Sequence, residues 1–195
     1  MEQIIRSIRD IYPVSEESAR QLLHEMERAE YRKGEIIISE GEKNDNLYLV
    51  ESGILRAHFL QDGTEMTYWF VTEKEEAFSS WGYVEGSPSL ITIEATCDST
   101  VFRISKERLE RLFSVSLELA NWGRKLIERH LLEVDNWLMN YSVPKAETRY
   151  ETLIRKNPEI LQHIPLKHIA TYLWITPQSL SRIRAGYKKK KQKKE

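Results

Sequence analysis

The spacing of apolar residues changes twice along this chain of 195 residues. Up to about residue 28, apolar residues recur at helical spacing in two short stretches separated by Pro13. From residue 30 to residue 104 the period is two, which is typical of half-buried strands. Strands are predicted at 36–38, 47–50, 54–59, 66–71, 91–95 and 100–104. Many short strands separated by turn signals indicate an antiparallel β-roll.

Helical spacing returns after Ser105, first over residues 106–113 and then over residues 116–141. In the longer stretch, apolar residues alternate at steps of three and four, interrupted at Arg124, as in a coiled-coil seam. A helix of roughly 26 residues would be about 39 Å long, more than a domain of this size needs to cover its own core. The excess suits a coiled coil between two copies of the chain, and a helix buried in a monomer is the alternative. The predicted dimer interface consists of Ile127, Leu131, Val134, Leu138 and Tyr141. The flanking residues Trp122, Leu126 and Trp137 are expected to pack against the roll.

Two short amphipathic helices joined by a tight turn are predicted over residues 166–184. Thr176 and Pro177 provide a cap and a first helical residue for the second helix. Trp174 occupies the turn position where φ is usually positive and glycine is common, at some steric cost. This arrangement indicates a helix-turn-helix, and an ordinary helical hairpin in an all-α core is the alternative. The segments before it are predicted as a hinge at 142–144, a helix at 146–155 and a short strand at 160–164.

The net charge of −1 conceals a division of charge along the chain. Residues 142–195 hold 13 Lys and Arg against 4 Asp and Glu, a balance of +9. The rest holds 16 basic against 26 acidic residues, a balance of −10. An acidic body joined to a basic end predicts that only this end contacts a polyanion.

A group of residues in the first half of the predicted roll combines glycines at three tight turns with apolar strand positions: Lys33-Gly34-Glu35, Glu40-Gly41, Asp45, Leu47-Tyr48, Val50, Ser52-Gly53 and Arg56. These residues resemble a cyclic-nucleotide-binding β-roll. With the long helix and the helix-turn-helix behind it, the chain from about Glu30 to Tyr187 is similar to the Crp/Fnr family of bacterial transcription regulators. The resemblance implies an α+β chain with an antiparallel β-roll sensor domain at 1–115, a dimerisation helix at 116–141 and a DNA-binding domain at 142–195.

The resemblance does not extend to the motifs with which members of the family bind a cyclic nucleotide. Nucleotide-binding members carry Gly-Glu for the ribose and Arg-Ser for the cyclic phosphate, but here the two places read Ala77-Phe78-Ser79-Ser80 and Pro88-Ser89. Between Tyr68 and Ile93 the only cation is Lys74, among four glutamates. A buried phosphodiester needs a bidentate arginine or an array of backbone donors. We therefore predict that cyclic AMP and cyclic GMP do not bind with useful affinity.

Aromatic residues dominate the same segment. One hypothesis is a pocket for an unidentified small-molecule effector, and the other is that these rings only fill the roll. The residues assigned to the effector pocket are Trp69, Phe78, Ser79, Trp81 and Ser89.

The DNA-binding assignment follows from residue chemistry on the second helix. Gln178 can pair with adenine N6 and N7, and Arg182 can donate two bonds to guanine O6 and N7. Thr176, Ser179 and Ser181 are expected to meet phosphates or base edges, and Pro177 loses one contact position of the family. Arg184, Lys188 and Lys189 should add phosphate contacts.

After Tyr187 come six lysines in seven residues, where the family has a β-hairpin wing. We expect a disordered tail drawn to phosphates without sequence preference, and a solvated tail with no role is the alternative.

Other chemistry is not predicted. The five histidines and the single Cys97 show no metal-ligand spacing, so neither a metal, a cofactor nor a cupin-like enzyme is expected. No run of 18 apolar residues and no leader pattern is present, which predicts a cytoplasmic protein without a membrane segment. The expected partners are double-stranded DNA, a second copy of the chain, RNA polymerase and the unidentified effector. The alternative function is a ligand-binding regulatory module with a vestigial DNA-binding domain.

Overall fold

The structure is a computed structural model that describes residues 2–142 and 144–192, with the side chains of residues 141, 142 and 188–192 left out. The chain divides into two compact units. The roll unit consists of Met1–Phe59 and Phe70–Leu132, and the helical unit of Leu60–Trp69 and Glu133–Glu195.

Two four-stranded antiparallel sheets form the roll. One has the strand order β1-β8-β3-β6 and the other the order β2-β7-β4-β5. The strands are β1 Glu27–Tyr31, β2 Ile36–Ile38, β3 Asn46–Ser52, β4 Leu55–Gln61, β5 Thr64–Val71, β6 Glu76–Ala77, β7 Thr92–Ala95 and β8 Ser99–Ser105. All six predicted strands are confirmed. The sequence did not predict β1, because charged residues interrupt its alternation, or the two-residue β6.

Four α-helices belong wholly or partly to the described part of the roll unit: α1 Glu2–Ile11, α2 Glu16–Glu25, α3 Lys106–Val115 and α4 Leu117–Trp137. A π-helical turn over Trp81–Glu85 also belongs to this unit. The first part of α4 packs into the core of this unit. Trp122 is fully buried and its Nε1 donates to the Ile8 carbonyl oxygen at 2.9 Å, while Leu126 is 1% exposed. The prediction that Trp122 and Leu126 pack against the roll is therefore confirmed. The long helix ends in a π-helical turn over Leu138–Ser142, close to its predicted end.

The helical unit holds α5 Ala146–Lys156, α6 Ile160–His163, α7 Leu166–Tyr172 and α8 Pro177–Gln192. The prediction of a strand at 160–164 is wrong, because this segment forms α6. Ile160 and Ile164 are both buried, and the Ile164 N–H donates to the Ile160 carbonyl oxygen at 2.9 Å. A spacing of four puts both side chains on one face of a helical turn. In a strand, residues 160, 162 and 164 would share a face, and the polar Gln162 would stand between the two isoleucines.

The prediction of a disordered stretch directly after Tyr187 is also wrong, because α8 continues to Gln192. No proline follows Pro177, and lysine is a good helix former. Repulsion between like charges one turn apart costs only a few tenths of a kcal/mol per pair. Helix propensity therefore prevails over charge repulsion. The rest of the predicted tail, residues 193–195, lies outside the described residues.

Candidate functional site

The turn between α7 and α8 places a tryptophan in the left-handed backbone region. Trp174 has φ 54°, as the sequence predicted. The N–H of Trp174 donates to the Thr171 carbonyl oxygen at 3.0 Å. The N–H of Ile175 donates to the Ala170 carbonyl oxygen, also at 3.0 Å. These two bonds form a Schellman motif, whose left-handed residue is usually glycine. The side chain at Trp174 costs about 1–2 kcal/mol in this conformation.

The start of α8 is fixed by its own residues. Thr176 Oγ1 accepts the N–H of Ser179 at 3.2 Å, which satisfies one of the free donors at the helix N-terminus. Pro177 is the first helical residue, where its missing N–H does no harm. Close packing against α7 is provided by fully buried apolar side chains: Ile169, Ala170, Leu173 and Leu180. The first turns of α8 therefore have a defined direction relative to α7.

The outward face of α8 carries the residues assigned to DNA. Gln178, Ser181 and Arg182 are exposed, and they recur at helical spacing on one face. Thr176 is exposed as well, and Arg184 is half-buried. The structure brings these five residues together on one short helix and its cap.

Ser179 takes part in a small hydrogen-bond network on the same helix. Its Oγ accepts from the Thr176 hydroxyl at 3.1 Å and from Arg182 Nη2 at 3.4 Å. Lys188 and Lys189 lie on the backbone of α8, and their side chains are outside the described residues.

Arg149 connects α5 to the end of α7. Its Nε donates to the Leu173 carbonyl oxygen at 3.0 Å, and its Nη1 donates to the Pro144 carbonyl oxygen at 2.6 Å. The first of these carbonyls lies at the C-terminus of α7, where no helical N–H is available. The two carbonyl partners of Arg149 lie 24 and 5 residues away in the sequence, so the first of them has no local sequence signal.

A strand hairpin also contributes to the helical unit, which the sequence did not predict. The Thr67 and Thr171 hydroxyls lie 2.9 Å apart. Trp137 lies between two rings, with centroid distances of 5.5 Å to Tyr68 and 6.2 Å to Trp174. Trp137 was expected to pack against the roll, and its ring does contact strand β5 through Tyr68. A rigid aromatic group thus adjoins the turn before α8.

The residues assigned to an effector pocket are not all in one unit. Trp69 belongs to the helical unit, where its ring centroid is 4.3 Å from that of Tyr68. The other four, Phe78, Ser79, Trp81 and Ser89, lie in the roll unit. The pocket of five residues is thus not assembled in either unit alone.

The two serines of the roll use their hydroxyls locally. Ser79 Oγ accepts the Gly82 N–H at 3.4 Å. The Ser89 hydroxyl donates to the Ile91 carbonyl oxygen at 2.8 Å and accepts the Ile91 N–H at 3.3 Å. Both side chains are fully or almost fully buried. Their polar atoms therefore stabilise their own loops.

Phe78 fills the space between these loops and the long helix. Its ring centroid is 4.5 Å from that of His130 on α4 and 5.2 Å from that of Tyr83. Burial lowers the pKa of His130 and raises that of Tyr83. A Cβ at Gly82 would lie 2.0 Å from the Asn44 carbonyl oxygen, so this segment tolerates no side chain there. The interior is tightly packed at each of these points.

Two arginines of the roll unit are held by carboxylates. Arg56 is 1% exposed and its Nη1 lies 2.7 Å from Glu94 Oε1. Arg129 on α4 forms an ion pair with Glu76, which is buried on β6. Both pairs are partly or fully shielded from water, so removing one partner would leave a buried charge.

The seam of the long helix is exposed in the single chain. Leu131 is 64% exposed and Leu138 is 48% exposed, and Ile127 and Val134 are also exposed. The side chain of Tyr141 is outside the described residues. Apolar residues at heptad spacing therefore lie on the surface of the protomer.

Comparison with known proteins identifies the roll. Residues 28–116 match the family model described as "Cyclic nucleotide-binding domain". The chain is 27% identical over 104 residues to a cAMP-dependent protein kinase regulatory subunit of Dictyostelium discoideum. This match spans 53% of the chain but only 31% of that protein.

Two solved structures share the fold over most of the chain. FixK2 from Bradyrhizobium japonicum matches with a TM-score of 0.72 and 19% identity, covering 85% of each chain. The c-di-GMP-responsive global regulator CLP of Xanthomonas campestris matches with a TM-score of 0.71 and 16% identity, covering 90% of this chain and 93% of that one. Within the described residues, we find no helix with the length and apolar character needed to span a bilayer. Residues 28–116 therefore match the cyclic nucleotide-binding domain family, and the chain shares its fold with FixK2 and CLP over most of its length.

Proposed function

We propose that this protein is a DNA-binding transcription regulator that binds a palindromic operator as a homodimer, and that α7 and α8 are its helix-turn-helix. The observation that carries the proposal is the outward face of α8. Gln178, Ser181 and Arg182 are exposed in the N-terminal half of a helix of 16 residues. In helix-turn-helix proteins this half of the second helix meets base edges in the major groove.

Two side chains on this face have the chemistry to read bases. Gln178 matches the donor and acceptor pair of adenine, and Arg182 matches the two acceptors of guanine. Ser181 and the cap residue Thr176 are short, so they suit phosphates or the edges of nearby bases. The Schellman turn and the Thr176 cap keep α8 in one orientation, which is what base reading requires.

The second half of α8 suits the DNA backbone. Because the helix continues to Gln192, Lys188 and Lys189 lie on the same helix as Gln178 and Arg182, roughly two turns beyond Arg182. A helix of 16 residues is about 24 Å long, so its basic end is positioned beyond the bases that its first turns reach. Lysines there would add affinity that depends on salt and not on sequence.

The dimer is supported by the exposed seam of α4. Leu131 and Leu138 expose about half or more of their surface in the protomer, which costs free energy unless a second surface covers them. Two copies packed along this seam would present two α8 helices with the twofold symmetry of a palindrome. RNA polymerase is a further partner that such a regulator would need, and its site of action would be the cytoplasm.

We also propose that the roll has lost the phosphate site for cyclic nucleotides. The hydroxyl of Ser89 bonds within its own loop, and Phe78 occupies the core of the roll unit. Calorimetry with cyclic AMP and cyclic GMP should show no micromolar binding. Micromolar affinity for either nucleotide would overturn this part of the proposal and leave the DNA-binding part standing.

The direct test of function is selection of bound fragments from a genomic DNA library at two salt concentrations. We expect an enriched palindrome whose half-sites are about one helical turn apart, and a steep loss of affinity with salt. Salt-sensitive binding without an enriched sequence would contradict the proposal. That result would favour a ligand-binding module in which α7 and α8 no longer read DNA.

A further inference from the structure

A cavity lies between α5 and α8, entirely within the helical unit. Its volume is about 550 Å³, within the range of small-molecule sites. One wall is a continuous stripe down α8, with residues at spacings of three and four: Ser179, Arg182, Ile183, Gly186 and Tyr187. The other wall is formed by α5, and Ile175 closes the cavity near the turn.

The cavity is kept open by small residues. Gly186 lies inside α8, where glycine is less favourable than alanine. A Cβ at Gly186 would meet no atom within 4 Å, so close packing does not explain this glycine. Ala146 lies on the opposite wall. The absent side chain at Gly186 and the single methyl group of Ala146 leave room for an occupant.

The walls carry opposite charges above an apolar base. Glu147 and Glu151 are exposed one turn apart on α5, and Arg182 stands on α8. Among the described residues, the recorded ion pairs involve none of these three groups. The apolar part consists of Ile175, Ile183, Tyr150 and Tyr187. The rings of Tyr150 and Tyr187 meet edge to face, with centroids 5.9 Å apart.

We propose that this cavity binds a free α-amino acid with a large apolar side chain. The ammonium group would pair with Glu147 and Glu151, and the carboxylate would accept bonds from Arg182. The side chain would pack on Tyr150 and Tyr187. A simple cation would leave Arg182 with its hydrogen bond to Ser179 but without an opposite charge, and a simple anion would be repelled by the two glutamates. The zwitterion is the class that uses both walls.

The site would regulate DNA binding through Arg182, an effect that rests on the proposed function. A guanidinium bound to the carboxylate of an amino acid is not available to guanine. The amino acid should therefore weaken operator binding, and operator DNA should weaken amino-acid binding by the same factor.

The first experiment is calorimetric titration of the full chain with L-phenylalanine in the absence of DNA. Phenethylamine lacks the carboxylate and 3-phenylpropanoate lacks the ammonium group, so both should bind at least about tenfold more weakly. Equal binding of either analogue would overturn the proposed zwitterion site, and so would the absence of L-phenylalanine binding.

Variants locate the site. Gly186→Leu fills the cavity and should abolish binding, while Gly186→Ala adds one methyl group and should weaken it only slightly. Glu147→Gln with Glu151→Gln should weaken binding about tenfold, because each exposed pair is worth a few-fold. Glu159→Gln is the matched control and should bind as the wild type does. Thermal unfolding checks that each variant is folded, and unchanged binding in folded Gly186→Leu would place the site elsewhere.

A second experiment measures operator affinity with and without saturating L-phenylalanine. We expect a fall of about tenfold, by the range typical of coupled sites. Unchanged operator affinity would overturn the regulatory part while the titration still supports the binding site. Failure to select any operator would count against the proposed function alone, since the titration requires no DNA.

Discussion

The roll unit and the helical unit use their polar side chains in opposite ways. In the roll, Ser79 and Ser89 stand where the sequence resemblance implies a nucleotide site, yet their hydroxyls are bonded to their own loops. In the helical unit, Gln178, Ser181 and Arg182 stand on an exposed face of α8. A residue at a family position can bind a ligand only if its polar atoms remain available. This difference supports our proposal that the binding function lies in the helical unit.

The largest effect should come from separating the dimer. Leu131→Glu puts a charge on the exposed seam of α4 and should give a monomer by sedimentation velocity. Loss of bivalent binding should then lower operator affinity by about 10²–10⁴-fold. Leu90→Glu is the control, because Leu90 is similarly exposed in the roll but lies outside the seam. A dimer that survives Leu131→Glu would refute the assigned interface.

A smaller effect is expected from Arg182→Ala. Loss of a bidentate contact to guanine should cost about 1–3 kcal/mol at one base pair of each half-site. Competition binding with operator variants measures this. Arg155→Ala, at the exposed end of α5, should leave base preference unchanged. An equal loss of affinity for operator and for random DNA would show that Arg182 contacts only phosphate. The helical unit would then lack one of its two proposed base-reading side chains.

Trp174 tests the strain in the turn that orients α8. In denaturant unfolding, Trp174→Gly should be more stable than Trp174→Ala by about 1–2 kcal/mol, because only glycine accepts φ 54° without cost. Both variants lose the ring contact with Trp137, so their difference isolates the backbone. At the helical position 185 the order should reverse, with Ala185→Gly less stable than the wild type. The same order at both positions would contradict a strained turn.

The smallest effect concerns the packed interior of the roll. Burial against Phe78 lowers the pKa of His130 below the ordinary value of 6.5, with Glu76 opposing and Arg129 reinforcing the shift. Below pH 6.5 the unfolded chain binds a proton that the folded chain resists, so the free energy of unfolding falls as the pH falls. His130→Gln should flatten this part of the pH profile. His163→Gln, at an exposed histidine, is the control substitution, and an unchanged slope in His130→Gln would contradict the lowered pKa of His130.

The sequence predicted strands and helices where one local pattern dominated. The period of two located the six predicted strands, and Thr176-Pro177 located the start of α8. Prediction failed at α6, where a short apolar run fitted both a strand and a helix. It failed again after Tyr187, where composition suggested disorder although nothing in the sequence breaks the helix. Short or highly charged segments therefore needed the structure.

The candidate site likewise has one part that the sequence predicted and one part that only the structure revealed. The sequence predicted Gln178, Ser181 and Arg182 as one face because a single helix carries them. The sequence did not predict the cavity between α5 and α8, because residues of two helices line it. Gly186 in its lining has no sequence feature that distinguishes it from other glycines. Periodicity describes one element at a time, whereas a cavity is a property of two.

By itself the sequence determined the local conformations: the caps, the positive φ at Trp174 and the alternation of the strands. Each of these features depends on interactions between residues within about four positions of one another, so a short segment of sequence contains all the residues that determine it. Only the tertiary structure decided that Arg149 bonds the carbonyl of Leu173 and that Thr67 meets Thr171, 104 residues away. Such pairs form because burial leaves each polar group to find whichever partner the packing brings near, and the sequence carries no local sign of that choice.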